Sequence, residues 1–472
     1  MTENENAHAG GPKPITAKTR FWYGFGDCWF TIMSNVETFF WNFFMTNVAM
    51  FATEIVTTIS LIASLVDAFL SWIYGGIVNS VKPGKWGRYR SWLVMTPWIV
   101  PFLYAFQFLK IGEGMVSYVV VLLGAIVSHV VWNLPYAANA TLVSVAGGTP
   151  EGRAALASSR ATWNQLAGVF FSYLGLPLAT VLGGIVGEVN RFGALAFLLC
   201  LVMVLGYWVN FQATKGYEEI EAPETLDQKK SKTKASAKDM FKALFQNPHL
   251  CFLILGDFPK YIIKFVPAAA AIYYFRYAAQ NTGLMVNYVL ISNICAAVGA
   301  FIAAFLAKKL TARWTVVVTY GVMAVAAFIS YFSYLNAFAV IFFMSIVQLG
   351  YGICYACNSA LYADTAVYAQ WKSGVDSRGW IMGLQTFPLK FAVVGRALIL
   401  NISLMLVGFD AKVDPAQATD ALKKGATAAF ALIPGIFLCI GIVFLLFGYK
   451  LTREMVVQYQ EEIDARKAAA AN

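Results

Sequence analysis

Apolar stretches of about 20 residues recur along nearly the whole chain, and this recurrence restricts the fold more than any other feature. A helix needs ~20 predominantly apolar residues to cross the hydrocarbon core of a bilayer. Because 59% of the 472 residues are apolar and only 13% are charged, the chain has apolar material for about twelve such helices and little for a soluble core. The sequence therefore predicts an all-α integral membrane protein.

Hydropathy divides the chain into six spans, a charged interruption and six more spans. The predicted spans cover residues 21–49, 52–80, 91–111, 114–142, 161–186, 192–212, 250–275, 284–306, 314–333, 336–362, 380–407 and 427–449. The predicted domains are an N-terminal segment 1–20, a six-helix bundle 21–213, a linker 214–246, a second six-helix bundle 247–450 and a tail 451–472. Short basic turns at 82–90 and 308–313 occupy matching positions in the two halves, which indicates the pseudo-symmetric repeat of alternating-access carriers.

Basic residues are concentrated in the N-terminal segment, the linker, the tail and alternate loops. Since cytoplasmic loops retain Lys and Arg, we expect both termini to lie in the cytoplasm. The same bias accounts for the net charge of +10, so the charge does not indicate binding to nucleic acid.

Ionisable residues inside the predicted spans are the strongest functional signal, because each costs about 2.5–3.5 kcal/mol at the centre of a membrane helix. These positions are Asp27, Glu37, Asp67, His129, Arg160, Asp257, Lys260, Lys264, Lys390 and Arg396. The five basic groups outnumber the four carboxylates. A cavity lined by them is positive and favours an anionic solute over a neutral one.

Helical spacing groups some of these residues. Asp67 and Ser71 are four residues apart and share a face, as do His129 and Asn133. A carboxylate near hydroxyl and amide oxygens is suited to Na⁺, or to carrying a proton when it is desolvated. We therefore predict that Asp67 binds the coupling cation, and we place His129 in the substrate cavity.

Asp257, Lys260 and Lys264 form one stripe along the seventh span. The aspartate can neutralise only one of the two lysines, so the sequence predicts that one positive charge is available to an acidic substrate. The alternative is structural, because Asp257 and Lys260 can form an internal ion pair that only holds helices together. Similarly, Arg160 can place its guanidinium at the membrane interface.

Several motifs together resemble the glycoside-pentoside-hexuronide:cation symporter family, a branch of the major facilitator superfamily that includes melibiose and β-glucuronide permeases. The motifs are YGFGD at 23–27, DAF at 67–69, KWGRYR at 85–90, NLPY at 133–136, ADT at 363–365, WKSGV at 371–375 and QTF at 385–387. The resemblance extends from about residue 20 to residue 468. It implies the major facilitator fold, with two pseudo-symmetric six-helix bundles.

The resemblance also implies roles for individual residues. It assigns sugar binding to Asp27 on span one and its partner Arg160 on span five, and it places Lys390 near both the sugar and the cation. The implied cation site comprises Asp67, Ser71 and Asn133. A carboxylate and an arginine that contact different sugar hydroxyls are suitable recognition groups in a cavity of low dielectric constant.

Departures from the family pattern modify these expectations. Ser71 replaces a second aspartate that many members carry, and Asn133 replaces a carboxylate of the melibiose branch. These replacements favour H⁺ over Na⁺ or indicate an uncoupled carrier. Ala137 replaces an aromatic residue that stacks on sugar in melibiose-type carriers. Asp376 and Arg378 exchange the charges of a family loop, which we interpret as a latch. The predicted gating residues are Lys85, Arg88, Arg90, Asp376 and Arg378.

These features predict a secondary transporter that moves an acidic glycoside by alternating access in symport with H⁺ or Na⁺, with the coupling cation at Asp67. A neutral galactoside or pentoside symporter and an uncoupled facilitator remain alternatives. The sequence has no nucleophile–base pair, metal-ligand cluster or phosphate-binding loop, so an enzyme is not expected. We expect no cofactor and no nucleic-acid partner, and we expect a monomer in a bacterial inner membrane.

Overall fold

The structure is a computed structural model, and it describes residues 14–80, 84–146, 150–218, 247–374, 381 and 384–471. Within these ranges the regular secondary structure is helical, apart from one isolated antiparallel bridge between Gly84 and Gly87. The predicted linker lies outside the described residues from 219 to 246. The same is true of Asp376 and Arg378 in the predicted latch.

The helices follow the predicted spans closely. Those up to residue 213 are α1 (Ala17–Tyr23), α2 (Phe25–Val36), α3 (Thr53–Ser80), α4 (Trp92–Met95), α5 (Val100–Phe106), α6 (Met115–Ala146), α7 (Pro150–Leu174), α8 (Leu176–Val186) and α9 (Arg191–Ala213). The later ones are α10 (Pro248–Tyr273), α11 (Leu284–Phe332), α12 (Ala337–Ser373), α13 (Thr386–Leu406), α14 (Asp420–Thr427), α15 (Ile433–Val443) and α16 (Arg453–Ala471). Helix α11 covers the predicted eighth and ninth spans, and its helical geometry is broken at Thr311 (φ 70°, ψ 159°).

Eight described helical stretches are long and apolar enough to cross a membrane, and the bent pair formed by α7 and α8 adds a ninth. The other three predicted spans depart from a continuous apolar helix for visible reasons. The first is divided among α1, α2 and two π-helical turns, Glu37–Trp41 and Phe44–Val48. The third is split into α4 and α5, with Pro97 between them. The seventh, α10, carries three charged residues.

Local sequence explains where several helices begin and end. Asn247 caps α10, because its side chain accepts from the backbone N–H of Leu250 at 3.1 Å. Asn336 caps α12 in the same way through Ala339, at 3.2 Å. Helix α12 ends at Gly374, whose φ of 72° is a left-handed conformation that glycine adopts at little cost.

The chain forms two compact units. The first comprises Met1–Val36, Phe69–Phe171 and Leu178–Ser231, and the second comprises Glu37–Ala68, Ser172–Pro177 and Lys232–Asn472. In the first unit, α2 packs against α9. A Cβ atom added to Gly206 would lie only 3.2 Å from the Cα of Gly26. In the second unit, α11 and α12 pack so closely that a methyl group on Gly352 would overlap the carbonyl oxygen of Ala296. Glycine allows these backbones to approach each other.

Residues 453–471 form helix α16, whereas the sequence predicts only a tail there. Trp371 Nε1 donates to Glu462 Oε2 at 2.6 Å, and the Trp371 ring lies 4.3 Å from that of Tyr459. Arg466 Nη1 donates to the Trp371 carbonyl oxygen at 2.9 Å. The hydrogen bond from Trp371 is the largest influence that lowers the pKa of Glu462. These contacts fix α16 to the end of α12.

Candidate functional site

A buried ion pair lies in the first unit, between α2 and α7. Arg160 Nη2 donates to Asp27 Oδ1 at 2.7 Å, and Arg160 Nε donates to Asp27 Oδ2 at 2.9 Å. The Asp27 side chain is 1% exposed and that of Arg160 is 16% exposed. This two-point geometry is the strong form of an arginine–carboxylate interaction. The structure therefore brings together the two residues to which the family resemblance assigns sugar binding.

Asparagine side chains hold the aspartate in place. Asn139 Nδ2 on α6 donates to Asp27 Oδ2 at 2.8 Å, and Asn210 Nδ2 on α9 donates to Asn139 Oδ1 at 3.1 Å. Asn210 Oδ1 accepts from the backbone N–H of Gly26 at 3.0 Å. Neither asparagine is among the site residues predicted from the sequence, although an amide side chain within an apolar span is a signal that the sequence does contain.

Aromatic rings adjoin the Asp27–Arg160 pair. The Arg160 guanidinium carbon lies 5.8 Å from the centroid of the Tyr136 ring, which stacks on Phe30 at 4.5 Å. Trp132 lies 5.0 Å from Phe30 and 5.2 Å from His129. His129 is therefore part of the same unit and lies at the edge of this aromatic group. Such rings offer apolar faces of the kind that pack against sugar rings.

A second ion pair, in the second unit, joins two of the predicted site residues. Lys390 Nζ on α13 donates to Asp67 Oδ2 on α3 at 2.9 Å. The Asp67 side chain is 8% exposed and that of Lys390 is 25% exposed. The other two predicted cation ligands, Ser71 and Asn133, belong to the first unit. Asn133 Nδ2 donates to the backbone carbonyl of His129 at 2.8 Å, and the Ser71 side chain lies outside the described part of the structure.

The charged stripe on α10 divides as its spacing predicts. Lys260 Nζ lies 2.5 Å from Asp257 Oδ1, and the two side chains are 0% and 6% exposed. Lys264 Nζ instead lies 5.2 Å from the centroid of the Tyr351 ring on α12. No acidic residue within the described ranges pairs with Lys264.

A fourth ion pair involves Glu37, the last of the four carboxylates predicted to lie within the membrane. Arg396 Nη2 on α13 lies 3.6 Å from Glu37 Oε1 in the first π-helical turn. The two residues line a cavity of about 10 Å³, with Asn42 and Ser60 among its walls. Each of the four carboxylates identified from the sequence therefore has a basic partner. Of the five basic residues identified with them, Lys264 is the one for which the described structure contains no carboxylate partner.

The predicted gating loop is fixed to its own unit. Arg90 donates from Nη2 to the Phe211 carbonyl at 2.8 Å and from Nε to Thr214 Oγ1 at 3.2 Å. The Glu218 carboxylate accepts from the backbone N–H groups of Tyr89 and Arg90. Burial lowers the pKa of Arg90, and the charge of Glu218 opposes that effect. Lys85 lies over the Trp86 ring at 4.3 Å, and Arg88 lies in the same loop.

Comparisons with known proteins agree with this architecture. The family model described as MFS/sugar transport protein matches residues 22–453. The glucuronide carrier protein homolog of Escherichia coli K12 is 24% identical over 465 residues, covering 96% of each chain. The isoprimeverose transporter of Lactiplantibacillus pentosus is 24% identical over 442 residues, covering 92% of this chain and 88% of the relative.

A solved structure has the same fold. An inward-facing bacterial homologue of the human lysosomal transporter Spinster superposes with a TM-score of 0.68 at 13% identity, covering 95% of this chain and 99% of the other. The predicted major facilitator fold, the resemblance to glycoside:cation symporters and the prediction of a transporter rather than an enzyme are confirmed by these similarities. Since the family model matches nearly the whole chain, the protein belongs to the MFS/sugar transport protein family.

Proposed function

We propose that this protein carries a glycoside with an acidic group across a bacterial inner membrane in symport with a cation, and that the cation is H⁺ rather than Na⁺. Transport proceeds by alternating access of one substrate site to the two sides of the membrane. The protein acts as a monomer with both termini in the cytoplasm. It needs no cofactor and has no nucleic-acid partner.

The proposal of an acidic substrate rests on the surroundings of Lys264. Its ammonium group lies beside Tyr351 without a carboxylate partner in the described structure, while the other four intramembrane cations named above are paired. An unpaired charge at this depth is expensive, and an anionic group on the substrate would offset that cost. One relative is named a glucuronide carrier protein homolog, and a glucuronide carries a negative charge, which supports a substrate of this kind.

Recognition of the sugar falls to Asp27, Arg160 and the rings beside them. The Asp27 carboxylate accepts from sugar hydroxyls, and the Arg160 guanidinium donates to others. Asn139 keeps the carboxylate oriented through its 2.8 Å hydrogen bond, so the site is organised before the sugar arrives. The ring of Tyr136 supplies the apolar face that Ala137 cannot provide.

Coupling rests on the pair between Asp67 and Lys390. While Asp67 is ionised, it neutralises Lys390 through their 2.9 Å contact. A proton on Asp67 removes that attraction and makes the Lys390 ammonium available to the anionic substrate. Proton and anion then bind together, which couples the two fluxes. A Na⁺ ion instead prefers several oxygen ligands, and Asp67 is the only carboxylate in the predicted cation site.

The loop carrying Lys85, Arg88 and Arg90 closes the cytoplasmic side while the site faces outward. Its contacts with Phe211, Thr214 and Glu218 give it the rigidity that such a role requires.

Uptake into proteoliposomes tests the proposal directly. A labelled β-glucuronide and a matched neutral galactoside are compared under an inward H⁺ gradient, an inward Na⁺ gradient and no gradient. We expect concentrative uptake of the glucuronide with H⁺. Preference for the galactoside would identify a neutral-sugar symporter, and uptake that only equilibrates would identify a facilitator. Either result would contradict the proposed function.

A further inference from the structure

A cleft of about 290 Å³ lies between α1 and α7 in the first unit, at the end of span one where the N-terminal segment enters the helix. Its walls include Arg20, Phe21, Ser158, Thr162 and Trp163. Ser159 lines the cleft as well, so the walls combine one cation, three hydroxyl groups and two aromatic rings. None of these residues takes part in the proposed substrate or cation sites.

Some polar groups in the cleft are already hydrogen-bonded, whereas others are free to contact a ligand. The Trp163 indole is fixed because its Nε1 donates to the Phe21 carbonyl at 2.7 Å. Thr162 Oγ1 donates to the Ser158 carbonyl at 3.0 Å. The Arg20 guanidinium and the Ser158 hydroxyl have no partner within the residues that the structure describes. The cleft thus presents a positive charge and a free hydroxyl donor over a rigid aromatic wall.

An apolar ridge continues from the cleft along α7. Ser158, Thr162, Leu166 and Phe170 follow one another at intervals of four residues, so they form a single row on the helix surface. Leu166 is 38% exposed and Phe170 is 42% exposed. At 1.5 Å per residue the row is about 18 Å long. The apolar part of the row, from Leu166 to Phe170, is about 6 Å of this length, so it covers part of one leaflet of a ~30 Å hydrocarbon core.

We propose that this cleft binds the phosphate headgroup of an anionic phospholipid, and that the ridge formed by Leu166 and Phe170 takes one acyl chain. Arg20 pairs with the phosphate and Ser158 donates a hydrogen bond to it. Phe21 in the wall of the cleft is 56% exposed, which suits an aromatic side chain that meets lipid headgroups. The site combines a basic group with an apolar ridge beside it, and both parts match one amphipathic molecule.

Native mass spectrometry of the purified full-length protein, titrated with phosphatidylglycerol, tests this site. Arg20→Gln should weaken phosphatidylglycerol binding about fivefold, because one basic residue near an anionic lipid contributes on that order. Lys18→Gln is the matched control, since Lys18 is exposed on the same helix but does not line the cleft. It should change binding less than twofold, and neither variant should alter retention of phosphatidylcholine.

Further measurements distinguish binding of the lipid headgroup from binding of the acyl chain and from binding of a solute. Ser158→Ala should weaken phosphatidylglycerol binding about twofold, and Leu166→Ser should weaken long-chain lipid more than its short-chain analogue. Equal binding by the Arg20 and Lys18 variants would overturn the inference. So would competition by the β-glucuronide, which would make the cleft a solute site. Because lipid binding is measured without transport, failure of the proposed transport function would leave this result intact.

Discussion

Replacing Asp67 with Asn removes the carboxylate that accepts from Lys390 Nζ at 2.9 Å, with little change in side-chain size. Removing one member of a fully buried ion pair costs about 3–5 kcal/mol, because the other charge is left unpaired. Here the Lys390 side chain is 25% exposed, so water partly stabilises its orphaned charge. We therefore expect a loss of about 2 kcal/mol in the free energy of unfolding.

The same change should separate coupling from substrate movement. For symport of one H⁺ with each substrate molecule, a gradient of one pH unit sustains about tenfold accumulation, since each factor of ten corresponds to ~1.4 kcal/mol. Asp67→Asn should reduce the accumulation ratio to about one while leaving counterflow exchange of labelled for unlabelled substrate. Both quantities are measured in the same proteoliposomes. Glu54→Gln is the control, because Glu54 is an exposed carboxylate on the same helix α3.

Two outcomes would refute this reasoning. Concentrative uptake at the normal level by Asp67→Asn would show that Asp67 does not carry the coupling ion. The stability argument is tested separately by a double-mutant cycle with Lys390→Gln. The double variant removes both charges, so it should be more stable than Asp67→Asn alone by about 1 kcal/mol. Strict additivity of the two single changes would mean that the pair contributes no interaction energy.

Four other predictions concern the remaining charges, the sugar site and the packing. Lys264→Gln should weaken binding of an acidic glycoside about tenfold and leave a neutral one nearly unchanged, measured by competition for uptake. Lys260→Gln should instead lower the free energy of unfolding by about 3–5 kcal/mol, because Asp257 stays buried without its partner; a fall in substrate affinity without a fall in stability would contradict this. Asn139→Ala should weaken sugar binding severalfold by freeing the Asp27 carboxylate, and Gly352→Leu should prevent assembly of α11 with α12, as seen by loss of the monodisperse peak in size-exclusion chromatography.

The sequence predicts the spans well because a bilayer imposes a strict length of apolar residues on each one. It predicts a continuous third span less well, because hydropathy averages over Pro97 and does not register the break between α4 and α5. It also misses the π-helical turn Glu37–Trp41. Such a turn depends on hydrogen bonds between particular backbone groups, and these leave no compositional trace. Helix α16 is missed because its mixed composition resembles that of an ordinary charged tail.

The charged residues of the site could be listed from the sequence, but their partners could not. Spacing along one helix identifies Lys260 as a partner for Asp257, because three residues place them on one face. No such rule connects Asp67 on α3 to Lys390 on α13, which lie 323 positions apart. That contact depends on how the helices rotate and pack, and packing is set by many side chains at once.

The pairing changes what the excess of basic residues means. Counted along the sequence, five bases and four acids suggest a diffusely positive cavity, with every basic group a candidate for the substrate. Once Asp27, Glu37, Asp67 and Asp257 each hold a partner, the excess is confined to Lys264, and Lys390 joins it only when Asp67 is protonated. A localised charge selects the position of an anionic group on the substrate as well as its sign. An acidic glycoside whose charge is moved to another carbon should therefore bind less well than its isomer, although both carry the same net charge.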